Sequence, residues 1–243
     1  MKNRKRISQI YNMFHMSDIA KVTAFRIQSR YKFLKDLLRS ETGQVLVVGC
    51  GSRDEMSILN KKCKGIGIDI SEVAVRKSKR RYPQFEYSVG DAQDLPFKDN
   101  SIDCLICSEV IEHLENDEKF IEEAHRVLRK NGRLILTTPN WISWYGFARK
   151  CGEVLLRRSL TSGNQPIDHW YTYWSLKKKT MKFFQLNSFQ GLWFFPPFGK
   201  GKYMIPDSIS LSIIKIFDPV NIWFRKVIPY IGHNLVFDLT NKK

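Results

Sequence analysis

The chain nowhere runs to the ~18 consecutive apolar residues that a membrane-spanning helix needs. Its most apolar stretch, 205–231, is interrupted by Lys215, Asp218, Pro219, Arg225 and Lys226. Pro219 is expected to split that stretch into two short helices, over 207–217 and 220–227. They either lie on a surface or pack on the domain as a substrate lid, the preferred reading. Cysteine is scarce and odd in number, five among 243 residues, which argues against a disulfide framework. Lys2, Arg4, Lys5 and Arg6 are not followed by the apolar run of about seven residues that would make a signal peptide. A reducing cytoplasm is the expected setting, with peripheral attachment to a membrane as a variant. Acidic residues are also short, 24 against 40 Lys and Arg. The shortage lies at the ends: residues 1–43 carry a net charge of +7, 44–140 of −1 and 141–243 of +10. Tryptophan is missing from the first 140 residues, and all six fall at Trp141, Trp144, Trp170, Trp174, Trp193 and Trp223. A basic segment, 1–43, thus precedes a neutral middle, 44–140, and a basic, aromatic tail, 141–243.

Against these shortages stands one dense motif. Val45 to Val48 runs into Gly49-Cys50-Gly51, and Asp69 ends a second short run, Gly65-Ile66-Gly67-Ile68. A continuous apolar run bounded by a turn reads as a strand buried on both faces of a parallel sheet. The glycines let the backbone turn and approach a ligand. A carboxylate about 20 residues past such a loop, at the tip of the next strand, accepts hydrogen bonds from a ribose. Position 54, where a dinucleotide fingerprint needs a third small residue, holds Asp54. An acid at a helix N-terminus also repels a pyrophosphate, so NAD and FAD are disfavoured.

Downstream the pattern alternates. Ser71 is an N-cap for a helix over 72–81. Residues 85–89 read as a strand ending in Gly90-Asp91-Ala92, and 102–107 as a buried strand ending in Ser108-Glu109-Val110-Ile111-Glu112-His113. Helical spacing at Phe120, Ile121, Ala124, Val127 and Leu128 predicts a helix over 117–129, stopped by Asn131-Gly132. Residues 133–138 form a strand closed by Pro139-Asn140. Further out, 7–40 reads as one or two helices, 175–186 as a helix, and 191–195 and 234–239 as strands. Such alternation means a doubly wound parallel sheet. Cys104 and Cys107 form a C-x-x-C inside a strand, where residues i and i+3 face opposite ways. They read as small buried hydrophobes, not a chelating pair.

Taken in order, Val45-Leu-Val-Val-Gly-Cys-Gly51, Gly67-Ile-Asp69, Gly90-Asp-Ala-Gln-Asp-Leu-Pro-Phe97, Ser108 to His113 and Leu128 to Asn140 resemble a class I S-adenosylmethionine-dependent methyltransferase. The likeness is to the group that includes the ubiquinone-pathway O-methyltransferases and many small-molecule methyltransferases. It covers 30–140 well and the tail loosely. It implies an α/β, Rossmann-like class I methyltransferase fold: a mostly parallel seven-stranded sheet, helices on both faces and an antiparallel last strand. It also implies that Gly49, Cys50 and Gly51 line the methionine and ribose part of S-adenosylmethionine, and that Asp69 holds the ribose hydroxyls. Ile70 would pack on the adenine, Asp91 accept from its amino group with Ala92 alongside, and Ser108 border the methionine end. Segment 1–43 would cover the cofactor site and 141–243 complete the sheet and build the substrate side. The cofactor is a phosphate-free sulfonium zwitterion, so carboxylates for hydroxyls and amines replace a phosphate cradle. The chain departs from many relatives at Val47, where they carry an acid that orients the amino-acid end.

Methyl transfer from a sulfonium is an in-line displacement in which the protein positions the acceptor and sometimes removes a proton. Two places offer a base. Glu109, Glu112 and His113 fall at i, i+3 and i+4, on one face if they open a helical turn. In the resembling O-methyltransferases this pattern can hold a divalent cation; in other relatives it caps and orients the loop. Asp168-His169 places an imidazole beside an acid, suited to deprotonating a hydroxyl near neutral pH; the alternative is a loop histidine bonded to backbone. Glu109, His113 and His169 are therefore the candidate catalytic residues, and Glu109, Glu112 and His113 the candidate metal ligands. The leading expectation is O-methylation of a small-molecule, glycan or lipid-linked acceptor. A nucleic-acid methyltransferase comes second, since basic aromatic flanks suit phosphates and bases. However, Ser108-Glu109-Val110 stands where many base N-methyltransferases carry Asn/Asp-Pro-Pro-Tyr/Phe. A non-catalytic cofactor-binding module comes third, opposed by the intact Gly49, Gly51, Asp69 and Asp91. An anionic membrane would attract the same Lys, Arg, Trp and Tyr.

Overall fold

The computed structural model describes residues 2–14, 21–51, 55–157, 167–194, 212 and 216–243. Helices α1 (Lys2–Phe14) and α2 (Lys21–Leu37) precede β1 (Gly43–Val48), β2 (Cys63–Asp69), α3 (Glu72–Arg81), β3 (Glu86–Val89), β4 (Ile102–Ser108), α4 (Asp117–Val127) and β5 (Leu128–Pro139). There follow α5 (Trp144–Leu156), α6 (Tyr173–Thr180), β6 (Phe184–Leu192), α7 (Asp218–Val227) and β7 (Asn234–Asn241). The strands form one seven-stranded sheet in the order β3-β2-β1-β4-β5-β7-β6. Neighbours are parallel except around β7, which runs antiparallel to both β5 and β6. This is the expected Rossmann-like class I methyltransferase fold. β1 and β4 lie side by side while the strands that follow them build outward to opposite edges, so a crevice opens at their C-terminal ends.

Period-two alternation explains the central strands. Leu46 and Val48 enter the apolar cluster on one face of the sheet, Val45 and Val47 the cluster on the other. Cys107 and Cys104 divide in the same way, so the C-x-x-C pair does not meet. Ser71 caps α3 as expected, its hydroxyl accepting from the Ala74 amide at 3.1 Å. α4 turns Phe120, Ile121, Ala124 and Val127 into the core.

Several element ends differ from expectation. α4 stops at Val127, and Leu128 is already extended and paired with Ile102. Asn131, with φ of 59°, and Gly132 lie within β5, where the pairing with β4 shifts register between Ile102 and Cys104. A left-handed Asn before a Gly serves a strand irregularity as well as a helix stop, and pairing to the buried strand β4 decided between them. α6 ends at Thr180 because β6 takes residues from Phe184 onward to pair with β7. α7 starts at Asp218, with Pro219 in the first turn, where its missing N–H costs nothing. Most of the helix expected over 207–217, and Asp54, lie outside the described residues. α5 had no counterpart in the sequence reading. Among the described residues, no helix is long and apolar enough to cross a membrane.

Candidate active site

The floor of the crevice is the turn after β1. Gly49 and Gly51 have φ of 68° and 60°, in the left-handed region that favours glycine. A Cβ on Gly49 would collide with Val110, beyond β4, and one on Gly51 with the Glu55 carboxylate. The amides of Gly49 and Cys50 both donate to the Ile68 carbonyl, at 2.8 and 3.0 Å, tying the turn to β2. Asp69 at the tip of β2 accepts from the Gly51 amide at 2.9 Å and the Ser71 amide at 2.8 Å, one on each carboxylate oxygen. It is 8% exposed, and burial pushes its pKa up to about 6. The Ile70 amide also favours the charged carboxylate; capacity for a further donor remains, so a hydroxyl fits this carboxylate and an anion does not. One strand over, Asp91 and Ala92 are buried. Asp91 accepts from the Gln93 main-chain amide at 2.8 Å and its side-chain amide at 3.1 Å. Ile70 is half-buried, and its carbonyl accepts from the Ser8 hydroxyl of α1 at 2.9 Å.

The opposite wall follows β4. Ser108 Oγ lies 3.1 Å from Thr137 Oγ1. Glu109 has φ of 57°, and its Oε1 accepts from Thr137 Oγ1 at 3.0 Å and Asn234 Nδ2 at 2.6 Å. Its Oε2 faces the Arg30 guanidinium at 3.4 Å. Glu112 is buried and accepts from Thr138 Oγ1 at 3.0 Å. Burial first, and the Glu109 charge second, hold its carboxyl well above the usual carboxylate range. His113 Nδ1 lies 3.0 Å from the Ile167 carbonyl, which can only accept, so Nδ1 carries the proton and Nε2 the lone pair. Desolvation lowers the His113 pKa, which favours the neutral ring.

The metal expectation gains no support from the structure. Among the described residues no group of three or more His, Cys, Asp or Glu is placed to hold an ion. Glu109 sits in a left-handed turn before a short 3-10 turn, Ile111–His113, not in an α-helix. Glu112 Oε1 and His113 Nε2 approach to 3.8 Å, but Glu109, Glu112 and His113 are each bonded to partners of their own.

His169 Nε2 lies 2.8 Å from the Leu114 carbonyl, and its main-chain amide donates to the Glu112 carbonyl at 2.7 Å. Asp168 accepts from Arg149 at 2.8 Å. The two histidines thus fasten residues 167–169 to the 111–114 turn, and both stand on the wall beyond β4.

Tyr11 escaped the sequence reading. Its phenol oxygen is buried and has no hydrogen-bond partner among the described residues. Burial, followed by the charges of Glu112, Asp69 and Asp168, raises its pKa, and its ring lies 6.4 Å from that of His113. Asn12 fixes α1 there: its Oδ1 accepts from Ser71 Oγ at 2.6 Å and the Val73 amide at 3.3 Å. Ser8, Tyr11 and Asn12 share one helical face, yet in a strongly basic helix such a face reads as solvated. Arg30, from α2, was missed for the same reason.

Residues 46–136 match the protein-family model described as a methyltransferase domain. The match covers the middle of the chain, the part that holds the glycine turn, Asp69 and Asp91. A probable S-adenosylmethionine-dependent methyltransferase of Mycolicibacterium smegmatis is 35% identical over 101 residues, 41% of this chain and 39% of that protein. Ajmaline N-methyltransferase of Rauvolfia serpentina is 34% identical over 100 residues, 38% of this chain and 34% of that one. The alignments with these two curated relatives span only 39% and 34% of their lengths. Among solved structures, a methyltransferase of Thermotoga maritima described as a possible histamine N-methyltransferase superposes with a TM-score of 0.64 at 18% identity, covering 98% of this chain and 100% of that one. At that identity the likeness is one of fold.

Proposed function

We propose that this chain transfers a methyl group from S-adenosylmethionine to an oxygen atom of a small-molecule, glycan or lipid-linked acceptor in the cytoplasm. The observation that carries the reading is Asp69. It is a buried carboxylate beside the topological switch point, clasped by the glycine loop and the start of α3, with capacity left for hydroxyl donors. The cofactor supplies a methyl group activated on a sulfonium. The chain's own residues bind and orient it: Gly49, Cys50 and Gly51 along the methionine and ribose, Asp69 at the ribose hydroxyls, Ile70 and Ala92 against the adenine, Asp91 at its amino group and Ser108 at the methionine end. Residues 1–43 form the cover, 44–140 the cofactor-binding core and 141–243 the substrate side.

Oxygen is favoured because the crevice holds a base suited to a hydroxyl. Desolvation favours the neutral form of His113, its Nδ1–H is anchored on a carbonyl, and its Nε2 is 3.8 Å from Glu112 Oε1. His113 takes the acceptor's proton as the new C–O bond forms and the carbon–sulfur bond breaks. Glu109 braces the loop through Arg30, Thr137 and Asn234, and His169 positions the segment that anchors His113.

The test is transfer of a labelled methyl group from S-adenosylmethionine into a fractionated cell extract, with Asp69→Ala as control. Label in the small-molecule, glycan or lipid fraction that the variant does not produce supports the reading. Label in nucleic acid replaces it with the nucleic-acid methyltransferase. Cofactor binding with no label in any fraction leaves a non-catalytic module.

A further inference from the structure

Two helices of the tail are inside-out. In α5 the polar side faces the protein: Ser143 caps the helix from a buried position, and Arg149 pairs with Glu153 at 3.1 Å and Asp168 at 2.8 Å, its guanidinium 4.5 Å from the Trp141 ring. The apolar side faces out. Trp144, Phe147, Val154 and Leu155 are exposed, Leu155 by 83%, and their spacing makes a single stripe. In α7 the buried residue is Asn221, whose Oδ1 accepts from the Phe194 amide at 2.9 Å. Val220, Trp223 and Val227, at i, i+3 and i+7, are exposed, Trp223 by 56%. On the inner side Phe224 stacks on Phe194 at 5.8 Å between ring centroids.

The two helices belong to the same end of the sheet. Asn140, three residues before the α5 cap, donates through Nδ2 to the carbonyls of Tyr230 and Gly232, just after α7, at 2.7 and 2.8 Å. Aromatic rings fill in around this junction. Trp170 stacks on Trp141 at 3.4 Å, and Trp174, itself exposed, stacks on Tyr230 at 5.7 Å. This is the end at which the crevice opens.

Charge identifies the occupant. Lys150 and Arg157 at α5 and Lys226 at α7 are exposed on the same helices as these stripes, and residues 141–243 carry +10 overall. We propose that α5 and α7 dock this end of the molecule on an anionic lipid bilayer. The Trp, Phe and Leu stripes enter the headgroup–acyl boundary and the Lys and Arg rim meets the lipid phosphates. An amphipathic helix with Trp and Leu on one face and cations beside it suits that boundary, whereas a nucleic acid would leave the aliphatic Val154, Leu155 and Val227 without a partner. Docking goes beyond methyl transfer and stands without it, because it needs no cofactor.

The test uses the full chain, without cofactor, sedimented with vesicles of phosphatidylcholine alone or of phosphatidylcholine with phosphatidylglycerol. Binding is expected to the anionic vesicles only, with a blue shift of tryptophan emission and weakening at high salt. Trp144→Ser with Phe147→Ser, and separately Trp223→Ser with Val227→Ser, should each weaken binding by roughly tenfold or more. S-adenosylhomocysteine affinity and melting temperature should stay unchanged. The proposal is overturned by no binding to anionic vesicles, or by binding that these variants leave intact. A lipid-free dimer that the same substitutions dissociate would also overturn it, assigning the stripes to a second copy. So would binding of nucleic acid through these residues that vesicles do not displace.

Discussion

At the scale of single residues, Asp69 and His113 are set for different tasks by the same force, burial. Burial raises the Asp69 pKa to about 6, which corresponds to roughly 3 kcal/mol against its charged form. The native state then holds that proton more tightly than the unfolded chain. Asp69's contribution to stability is present in full at low pH and is lost as pH rises through about 6. On the proposed function, ribose hydroxyls would donate to the carboxylate and favour its ionised form, so cofactor affinity should run the opposite way, tightening as pH rises through about 6. Titration calorimetry with S-adenosylhomocysteine between pH 5 and 8 checks this, and Asp69→Asn should both weaken binding and flatten the profile. For His113 the expected signature is kinetic. His113→Asn should lower kcat by roughly a hundredfold while S-adenosylhomocysteine affinity holds. His169→Asn, which loses the bond to the Leu114 carbonyl, should lower the melting temperature as well as turnover. Equal loss of cofactor binding in both variants would make both histidines structural.

At the scale of elements, α1 is held by few contacts of high specificity. Asn12 reaches the start of α3 and accepts from the same Ser71 that caps it, so helix and cover share one polar junction. Asn12→Ala should cost about 1 kcal/mol and speed release of S-adenosylhomocysteine, read by stopped-flow fluorescence, with little change in the melting of the sheet. An unchanged release rate would mean that α1 does not cover the bound cofactor. The strands and α3 were legible where one local rule acted alone: the buried apolar run of β1, the Ser71 cap, the Asp69 tip. Reading failed where two rules competed. Asn131-Gly132 carries a helix-stop signal, yet the pull of β4 on Leu128 ended α4 earlier. Residues 184–186 fit a helix by spacing but pair with β7. The stripe of α5 has helical spacing in the sequence, but only the structure shows that it faces outward rather than into the core.

At the scale of the whole molecule, charge and chemistry are separated. A nearly neutral core carries the crevice, and basic flanks surround it. With no metal ligand set among the described residues, a chelator should leave methyl transfer unchanged; loss restored by one divalent cation would reinstate the metal reading. The central strands, the glycine turn and the two carboxylates at strand tips were decided by the sequence itself, because burial of short apolar runs and the backbone freedom of glycine act within a few residues. The tertiary structure alone decided what surrounds the loop after β4. Asn234 reaches Glu109 across 125 positions, Arg30 arrives from α2, and Tyr11 comes to stand near His113 and the Asp69 charge. Those contacts join segments with no shared periodicity, and their free energy arises only when the sheet has brought the ends of β1, β2, β4 and β5 to one edge.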